Sequence, residues 1–392
     1  MVETKLKRFS IDLLNAGDVL DADLYDGRLL LLPAGTVITD AFLNKLRERR
    51  VTTFSSNSNL LQQREEKLAK LRAKDQAILE QLARVEAELQ EAAGMVKAVS
   101  EELVTTAQHS VDSFYRCLSE DEDPDLEDVN GHAKAILERA LELQGQERVV
   151  HNLMDMKSYD PYTYTHSVNV SGLFAMVAAD ELETADNAQD IVLGSLLHDA
   201  GKVQVPVQIL TKPGRLTPEE YEVIKTHTVL GYDLLKDKLA MPPEVYRLAR
   251  SHHERFDGTG YPDGLSRDEI PLQAGQLAVC DVFEALVTKR TYKPKLEASS
   301  AVRILAQSSG SHFAPMLVSK FMRHLGLYPN GTYVELSDGR LGMVIAQTAA
   351  LLRPRVAIIG SPDKGIQYEG NEIDLSKDMS VSIRRVISTA RD

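Results

Sequence analysis

The sequence predicts a multi-domain, mainly α protein: an all-α helical bundle, preceded by a small α/β unit and a long coiled-coil-like helix, and followed by a small β appendage. Three observations predict it. At 392 residues the chain is too long for one ordinary core, so two or three domains are expected. Apolar residues between 61 and 118 recur at alternating spacings of three and four, as in a heptad seam. From Gly331 onward, short alternating runs are separated by turn residues, which is strand texture. The expected boundaries are 1–125 for an N-terminal regulatory or docking domain, 126–328 for the helical domain and 329–392 for the appendage.

Within residues 5–56, Arg28 to Leu32 reads as a strand turned by Pro33-Ala34-Gly35. Asp40 suits the cap of a helix to about Arg50 that buries Phe42, Leu43 and Leu46, and Val51 to Phe54 suits another strand. The long helix is expected over 61–118. Its seam is Leu68, Leu71, Ile78, Leu82, Val85, Leu89, Ala92, Val96, Val99 and Leu103, with Asp75 the one misfit and Gly94 a weak point. Such a seam serves either a homodimer or packing within one chain. Acidic residues and Pro124 make 119–128 a linker, and a short helix follows from about His132 to Leu143. From Val149 to His324 the pattern is helical, interrupted at Pro206 to Pro218 and at Asp257 to Pro271. In the appendage, Tyr333 to Leu336 and Gly342 to Ala346 flank a hairpin turn at Ser337-Asp338-Gly339-Arg340, and 355–359 and 367–373 suit further strands.

Composition narrows the function classes. Hydrophobic content of 43% and charged content of 26% are those of an ordinary globular protein. A net charge of −13 argues against coating a nucleic-acid polymer or an anionic membrane. Two cysteines, Cys117 and Cys280, give no disulfide framework; with no apolar run of membrane-spanning length, a cytoplasmic protein is expected.

The chemistry lies in the histidines. His198-Asp199 directly follows the apolar residues Ile191, Val192, Leu193, Leu196 and Leu197; His166 precedes it, and His227, the pair His252-His253 and Asp281 follow. Imidazoles and carboxylates together suit divalent transition metals, and burying so many imidazoles without metal leaves polar groups wanting partners. A lone His is more often a satisfied core or surface residue. His109, His132, His151, His312 and His324 are taken in that sense. Asp199, set inside the histidine-rich group, is the candidate bridge between two metals, a design suited to hydrolysing a phosphodiester.

These residues resemble the HD-GYP domain, a branch of the HD phosphohydrolase superfamily. His198-Asp199 stands as the HD doublet in an HDxGK match ending at Lys202, and 252–262 match HHExxDGxGYP throughout. His166-Ser167-Val168 resembles the first ligand helix, Asp281 the last ligand position, and Lys289 to Pro294 the RxYK-type segment. The resemblance covers under half the chain. Residues 1–125 more softly resemble the domain of unknown function that often precedes HD-GYP domains.

The resemblance implies an HD-type bundle and a phosphodiesterase that hydrolyses cyclic di-GMP to pGpG and/or GMP in bacterial second-messenger signalling, by attack of a metal-bridging hydroxide. It implies two divalent transition metal ions, iron or manganese first, with nickel, zinc or cobalt admitted by the same donors. One takes His166, His198, Asp199 and Asp281; the other takes Asp199, His227, His252 and His253. Lys202 is the site lysine, Arg290 and Lys293 bind phosphate, and Tyr261 and Pro262 shape substrate or meet protein partners such as diguanylate cyclases, with Gly260 counted in the same substrate-binding loop and Gly258 and Gly260 serving its backbone geometry. Two departures stand out: Tyr162 replaces a glutamate that helps hold a third metal in some members, with Asp160 nearby, and Ala314 replaces a usual Asp. The alternatives are a catalytically weak cyclic di-GMP sensor or docking module acting through the GYP loop, and an HD hydrolase of mononucleotides or alarmones, against which the intact GYP segment argues.

Overall fold

A computed structural model describes residues 6–27, 29–49, 51–150, 165–212, 214–288, 296–361, 365–367 and 370–388. The chain divides into two compact units, Met1–Glu80 and Gln81–Asp392.

The first unit is a small sheet with a helix. Strands β1 (Lys7–Ser10), β2 (Leu24–Asp26), β3 (Leu29–Leu32) and β4 (Thr53–Ser56) lie in the order β1-β4-β2-β3, and α1 spans Asp40–Glu48. Phe9, Leu24, Ile38, Leu43, Leu46, Phe54 and Leu61 fill the core. The expected cap at Asp40 is displaced by one residue: the Thr39 hydroxyl accepts from Phe42 N at 3.2 Å, and Asp40 is already helical. Arg64, on α2 (Asn59–Ala92), donates to Leu13 O at 2.9 Å and pairs with Asp18 at 2.7 Å, anchoring the start of that helix.

The single helix expected over 61–118 is instead two helices. α2 ends at Ala92, Gly94 turns the backbone at φ +65, and β5 (Val96–Lys97) pairs in parallel with β6 (Val149–Val150). The Ser100 hydroxyl then accepts from Leu103 N at 3.1 Å and starts α3 (Glu101–Ser119), with Glu101 and Glu102 in its first turn. Val96 and Val99 are therefore not seam positions, although their spacing fits one. The buried face of α3 (Val104, Val111, Phe114, Tyr115) belongs to the core of the second unit, so compactness divides the chain well before residue 125.

The second unit is the helical bundle. Its elements are α4 (Leu126–Glu142), α5 (Thr165–Val177), α6 (Ala179–Leu182), α7 (Ala188–Leu196), α8 (Val207–Leu210), α9 (Pro218–Lys225), α10 (His227–Asp233), α11 (Pro243–Ser251), α12 (Leu272–Val287), α13 (Ala298–Gln307) and α14 (Pro315–Leu325). α4 starts earlier than expected because Asp125 caps it, accepting from Asp128 N at 3.1 Å. α5 is buried along almost its whole length, which is why its sequence is apolar or small all round rather than amphipathic. Its Phe174 shares one core with Leu196, Leu197, Leu235, Phe283 and Phe321.

The expected β appendage is present: β7 (Tyr333–Leu336), β8 (Leu341–Ala346), β9 (Arg355–Ser361), β10 (Gly365–Ile366), β11 (Glu372–Asp374) and β12 (Ile383–Val386), in the order β10-β9-β8-β7-β12 with β11 also on β9. The one strand expected over 367–373 is replaced by the short strands β10 and β11, and β12 was not anticipated. Gly339, at φ +88, closes the predicted hairpin. Asn330 Nδ2 donates to Glu147 O and Val149 O, both at 2.9 Å, tying the connection into the appendage to β6.

Ala314 stands at the N-cap of α14 and provides no side-chain cap. Ala314→Asp is expected to stabilise the folded chain by about 1 kcal/mol, seen as a higher urea midpoint. An unchanged or lowered midpoint counts against the uncapped terminus.

Candidate metal centre

The apolar run read in the sequence sets the position of the site. Ile191, Val192, Leu193, Leu196 and Leu197 are all buried, and α7 ends at Leu196, so the next residues leave the helix inside the bundle. His198 is 0% exposed and Asp199 is 4% exposed. The 3-10 turn Ala200–Gln204 that follows presses on α10; a Cβ at Gly201 would lie 1.9 Å from His227 O, so only glycine permits this approach. His227 opens α10, His252 and His253 follow the end of α11, His166 lies in the first turn of α5, and Asp281 is midway along α12.

These side chains converge. His166, His198 and Asp199 offer ligand atoms within 4.8 Å of one another, and so do His227, His252 and His253. Asp199 faces both sets. Its Oδ2 lies 3.5 Å from His198 Nε2, and its Oδ1 lies 3.5 Å from His227 Nε2 and 3.8 Å from His252 Nε2. Asp281 Oδ1 is 2.9 Å from His166 Nε2.

The ring nitrogens show what the cluster is arranged to hold. His198 Nδ1 reaches Ser195 O at 2.8 Å, His227 Nδ1 reaches Ile224 O at 2.7 Å, and His252 Nδ1 reaches Ala249 O at 3.0 Å. A carbonyl only accepts, so each Nδ1 carries the proton and each Nε2 presents a lone pair inward. His227 Nε2 and His252 Nε2 then face each other at 3.3 Å with no proton between them. His198 Nε2 and Asp199 Oδ1 are buried without a hydrogen-bond partner. Converging lone pairs and an orphaned carboxylate oxygen are costly in a dry interior and are the arrangement a cation relieves. The donor set, imidazole and carboxylate, fits divalent transition metals.

Electrostatics sets His166 apart from the other four imidazoles. Burial pulls the His166 imidazole down, but Glu284 and Asp281 outweigh it and hold it up at about 9. Burial, with no carboxylate in hydrogen-bonding contact, pushes His253 down to about 3 and also lowers His198, His227 and His252. Burial opposes ionisation of Asp199, yet the Lys202 ammonium beside it outweighs that cost, and the carboxyl lies well below its usual range. Lys202 Nζ stands 2.5 Å from Asp199 Oδ2 and is about one-third exposed, at the mouth of the cluster.

Sequence reasoning missed several supporting residues. Glu284 accepts from His166 Nδ1 and is held by Asn169 Nδ2 at 3.2 Å and Thr288 Oγ1 at 2.8 Å. Its signal was available: Glu284 follows Asp281 by three and Asn169 follows His166 by three, so each shares a helix face with a ligand. Glu254, within the HHE triplet, accepts from Asp263 N at 2.7 Å and Leu265 N at 2.9 Å and clamps the loop after it. Arg250 holds the same loop through both Asp263 oxygens, each at 2.7 Å. A Cβ on Gly260 would meet Arg255 N at 2.3 Å, so this glycine serves a close backbone approach. The Tyr261 ring lies 4.8 Å from that of His253, and Tyr261-Pro262 is a cis peptide. Arg290, Lys293, Asp160, Tyr162 and His151 lie outside the described residues. The bland reading suits His132, paired with Asp128 at 3.6 Å, and His312, stacked on Phe313 at 4.1 Å.

Two outcomes are expected. Glu284→Gln lowers metal affinity by about 10–100-fold, measured by equilibrium dialysis with elemental analysis; wild-type affinity would remove Glu284 from the support of His166. Because the His166 proton persists up to pH about 9, a metal taken up at pH 7.5 must displace it. About one proton is therefore released per chain, and affinity rises with pH toward 9. Calorimetry in buffers of different ionisation enthalpy reads that release directly, and its absence would contradict the charge state of His166.

With the geometry described, comparison with known proteins adds the family. Residues 148–317 match the HD domain, and residues 333–391 match the KOW domain associated with the HD domain. A cyclic di-GMP phosphodiesterase of Pseudomonas aeruginosa is 40% identical over 228 residues, 58% of this chain and 55% of that protein. A probable cyclic di-GMP phosphodiesterase of Vibrio cholerae is 37% identical over 205 residues, 48% of this chain and 46% of that protein. A 3'3'-cGAMP-specific phosphodiesterase of Vibrio cholerae is 38% identical over 143 residues, 36% of this chain and 27% of that protein. The chain thus spans about half the length, or less, of these curated relatives. Residues 148–317 of this chain are thus an HD domain, with His198-Asp199 and the GYP segment inside it fitting the HD-GYP type, and residues 333–391 are the KOW domain associated with it.

Proposed function

We propose that this chain is a metal-dependent phosphodiesterase that hydrolyses cyclic di-GMP to pGpG and/or GMP. The observation that carries the reading is Asp199, whose two oxygens face two separate histidine sets in a buried cluster. The cyclic di-GMP phosphodiesterases named among the relatives supply the substrate class. When bound, two divalent transition cations supply a nucleophile at neutral pH and offset charge on the phosphoryl oxygens. His166, His198, Asp199 and Asp281 are proposed to hold one cation, and Asp199, His227, His252 and His253 the other. Iron or manganese is the first expectation, and nickel, zinc and cobalt suit the same donors.

The other residues of the chain position and protonate. Lys202, at the mouth, is placed to offset charge on a phosphoryl oxygen or to give a proton to the departing one. Arg290 and Lys293 are assigned to the substrate phosphates, which suit an arginine fork and an ammonium. Tyr261 lies beside His253, Gly260 and Pro262 flank it, and the clamped loop that carries them is the proposed face for substrate and for protein partners such as diguanylate cyclases. Of the seam on α2, Ile78, Leu82 and Leu89 are buried within the single chain, which supports packing within one chain there; Leu71, 38% exposed, is what remains open to a homodimer. No described helix is long and apolar enough to cross a membrane, which supports a place in the cytoplasm.

The test is turnover of cyclic di-GMP by the metal-reconstituted chain, with pGpG resolved from GMP by chromatography. His198→Ala and Asp199→Ala are each expected to lower turnover by more than about a thousandfold with the helical circular dichroism retained. Lys202→Ala is expected to lower kcat by about a hundredfold at unchanged metal content. Normal turnover in either of the first two variants would defeat the mechanism, and normal kcat in the third would remove Lys202 from it.

A further inference from the structure

We propose that α9 supplies a base-stacking wall to this centre: Tyr221, backed by Lys225 and Tyr261, receives a purine of a cyclic dinucleotide whose phosphodiester lies at the His/Asp cluster. The inference rests on the phosphodiesterase reading above and adds the residue that grips the base.

The wall is a chain of aromatic contacts leading out of the site. Tyr261 is 4.8 Å from His253 and 6.4 Å from His227, ring centre to ring centre. Tyr221 is 6.5 Å from Tyr261, ring centre to ring centre, and nearly perpendicular to it at 82°. Lys225 Nζ lies 5.5 Å from the Tyr221 ring centre and 5.6 Å from that of Tyr261, and it also pairs with Glu222 at 2.7 Å. The Lys225 ammonium, itself fixed by Glu222, thus lies within cation–π range of both rings and joins them.

Packing does not explain Tyr221. α9 buries none of its residues, and Tyr221 is 48% exposed while held in place by both neighbours. The helix is itself fixed: Thr217 and Glu220 form a capping box, and Lys212 reaches Glu220 at 2.7 Å. A large ring that is ordered, half in water and two ring spacings from the metal-ligand histidines stands where the base of a nucleotide would lie when its phosphate occupies the cluster. Every base has a π face, so such a platform takes guanine or adenine alike, and a stacked base contributes enough to be read in kinetics.

The experiment compares wild type, Tyr221→Ala and Tyr221→Phe, as the metal-loaded full chain, on cyclic di-GMP and on methyl para-nitrophenyl phosphate, a diester without a purine. Tyr221→Ala is expected to lower kcat/KM for cyclic di-GMP about tenfold more than for the small diester, mainly through KM. Tyr221→Phe, which keeps the ring, is expected to stay within about twofold of wild type on both substrates. Equal losses on the two substrates in the alanine variant, or a loss in the phenylalanine variant as large as that in alanine, overturns the wall. Wild-type turnover of the small diester with none of cyclic di-GMP overturns the substrate reading and the wall with it.

Discussion

The structure depends on one electrostatic constraint: a carboxylate, Asp199, is held ionised among imidazoles in an interior that excludes water. A buried charge without compensation is among the costliest features a fold can carry. Here the outer nitrogens of His198, His227 and His252 are committed to backbone carbonyls, so the inner ones have nowhere to turn. The surrounding features serve that arrangement. The apolar run of α7 carries the doublet inward, Gly201 lets a turn lie against His227, and Glu284 orients His166 from the far side. Lys202 alone of the nearby cations reaches the carboxylate from the solvent side among the described residues.

Much of this was legible in the sequence, for a physical reason. Metal-ligand side chains are few in kind, and finding His166, His198, Asp199, His227, His252, His253 and Asp281 in one helical stretch limits what they can do together. The β appendage was legible because a two-residue alternation interrupted by Asp338-Gly339 has few other meanings. The break after Ala92 was not read, because apolar spacings of three and four are met equally by Val96 in a strand and Val99 in a loop. Ser100-Glu101-Glu102 was the local cue, a hydroxyl followed by two acids, and the longer seam obscured it. The glycine contacts at 201 and 260 and the carbonyl partners of the imidazoles are tertiary facts. No property of those residues alone reveals which backbone atom will come near.

The helix after the break is closely bound to the ligand helix. Gln108 on α3 donates to Thr165 Oγ1 at 2.8 Å, both residues are buried, and Thr165 immediately precedes His166. Gly172, one turn and a half further along α5, leaves just enough room for Val99, which stands 3.0 Å from where its Cβ would be. Residues 99–108 therefore form part of the scaffold that sets where the first ligand sits.

The two-residue parallel ladder of Val96-Lys97 with Val149-Val150 bears on how the bundle can be isolated. A fragment cut at residue 101 or 126 would keep nearly every helix of the bundle, yet Arg148 O and Val150 O, at the second strand, would lose the amides of Val96 and Ala98 that they accept from. That strand runs directly into the connection leading to α5. An excised bundle meant to retain its fold must therefore begin upstream of Val96, inside what looks from the sequence like the middle of a helix.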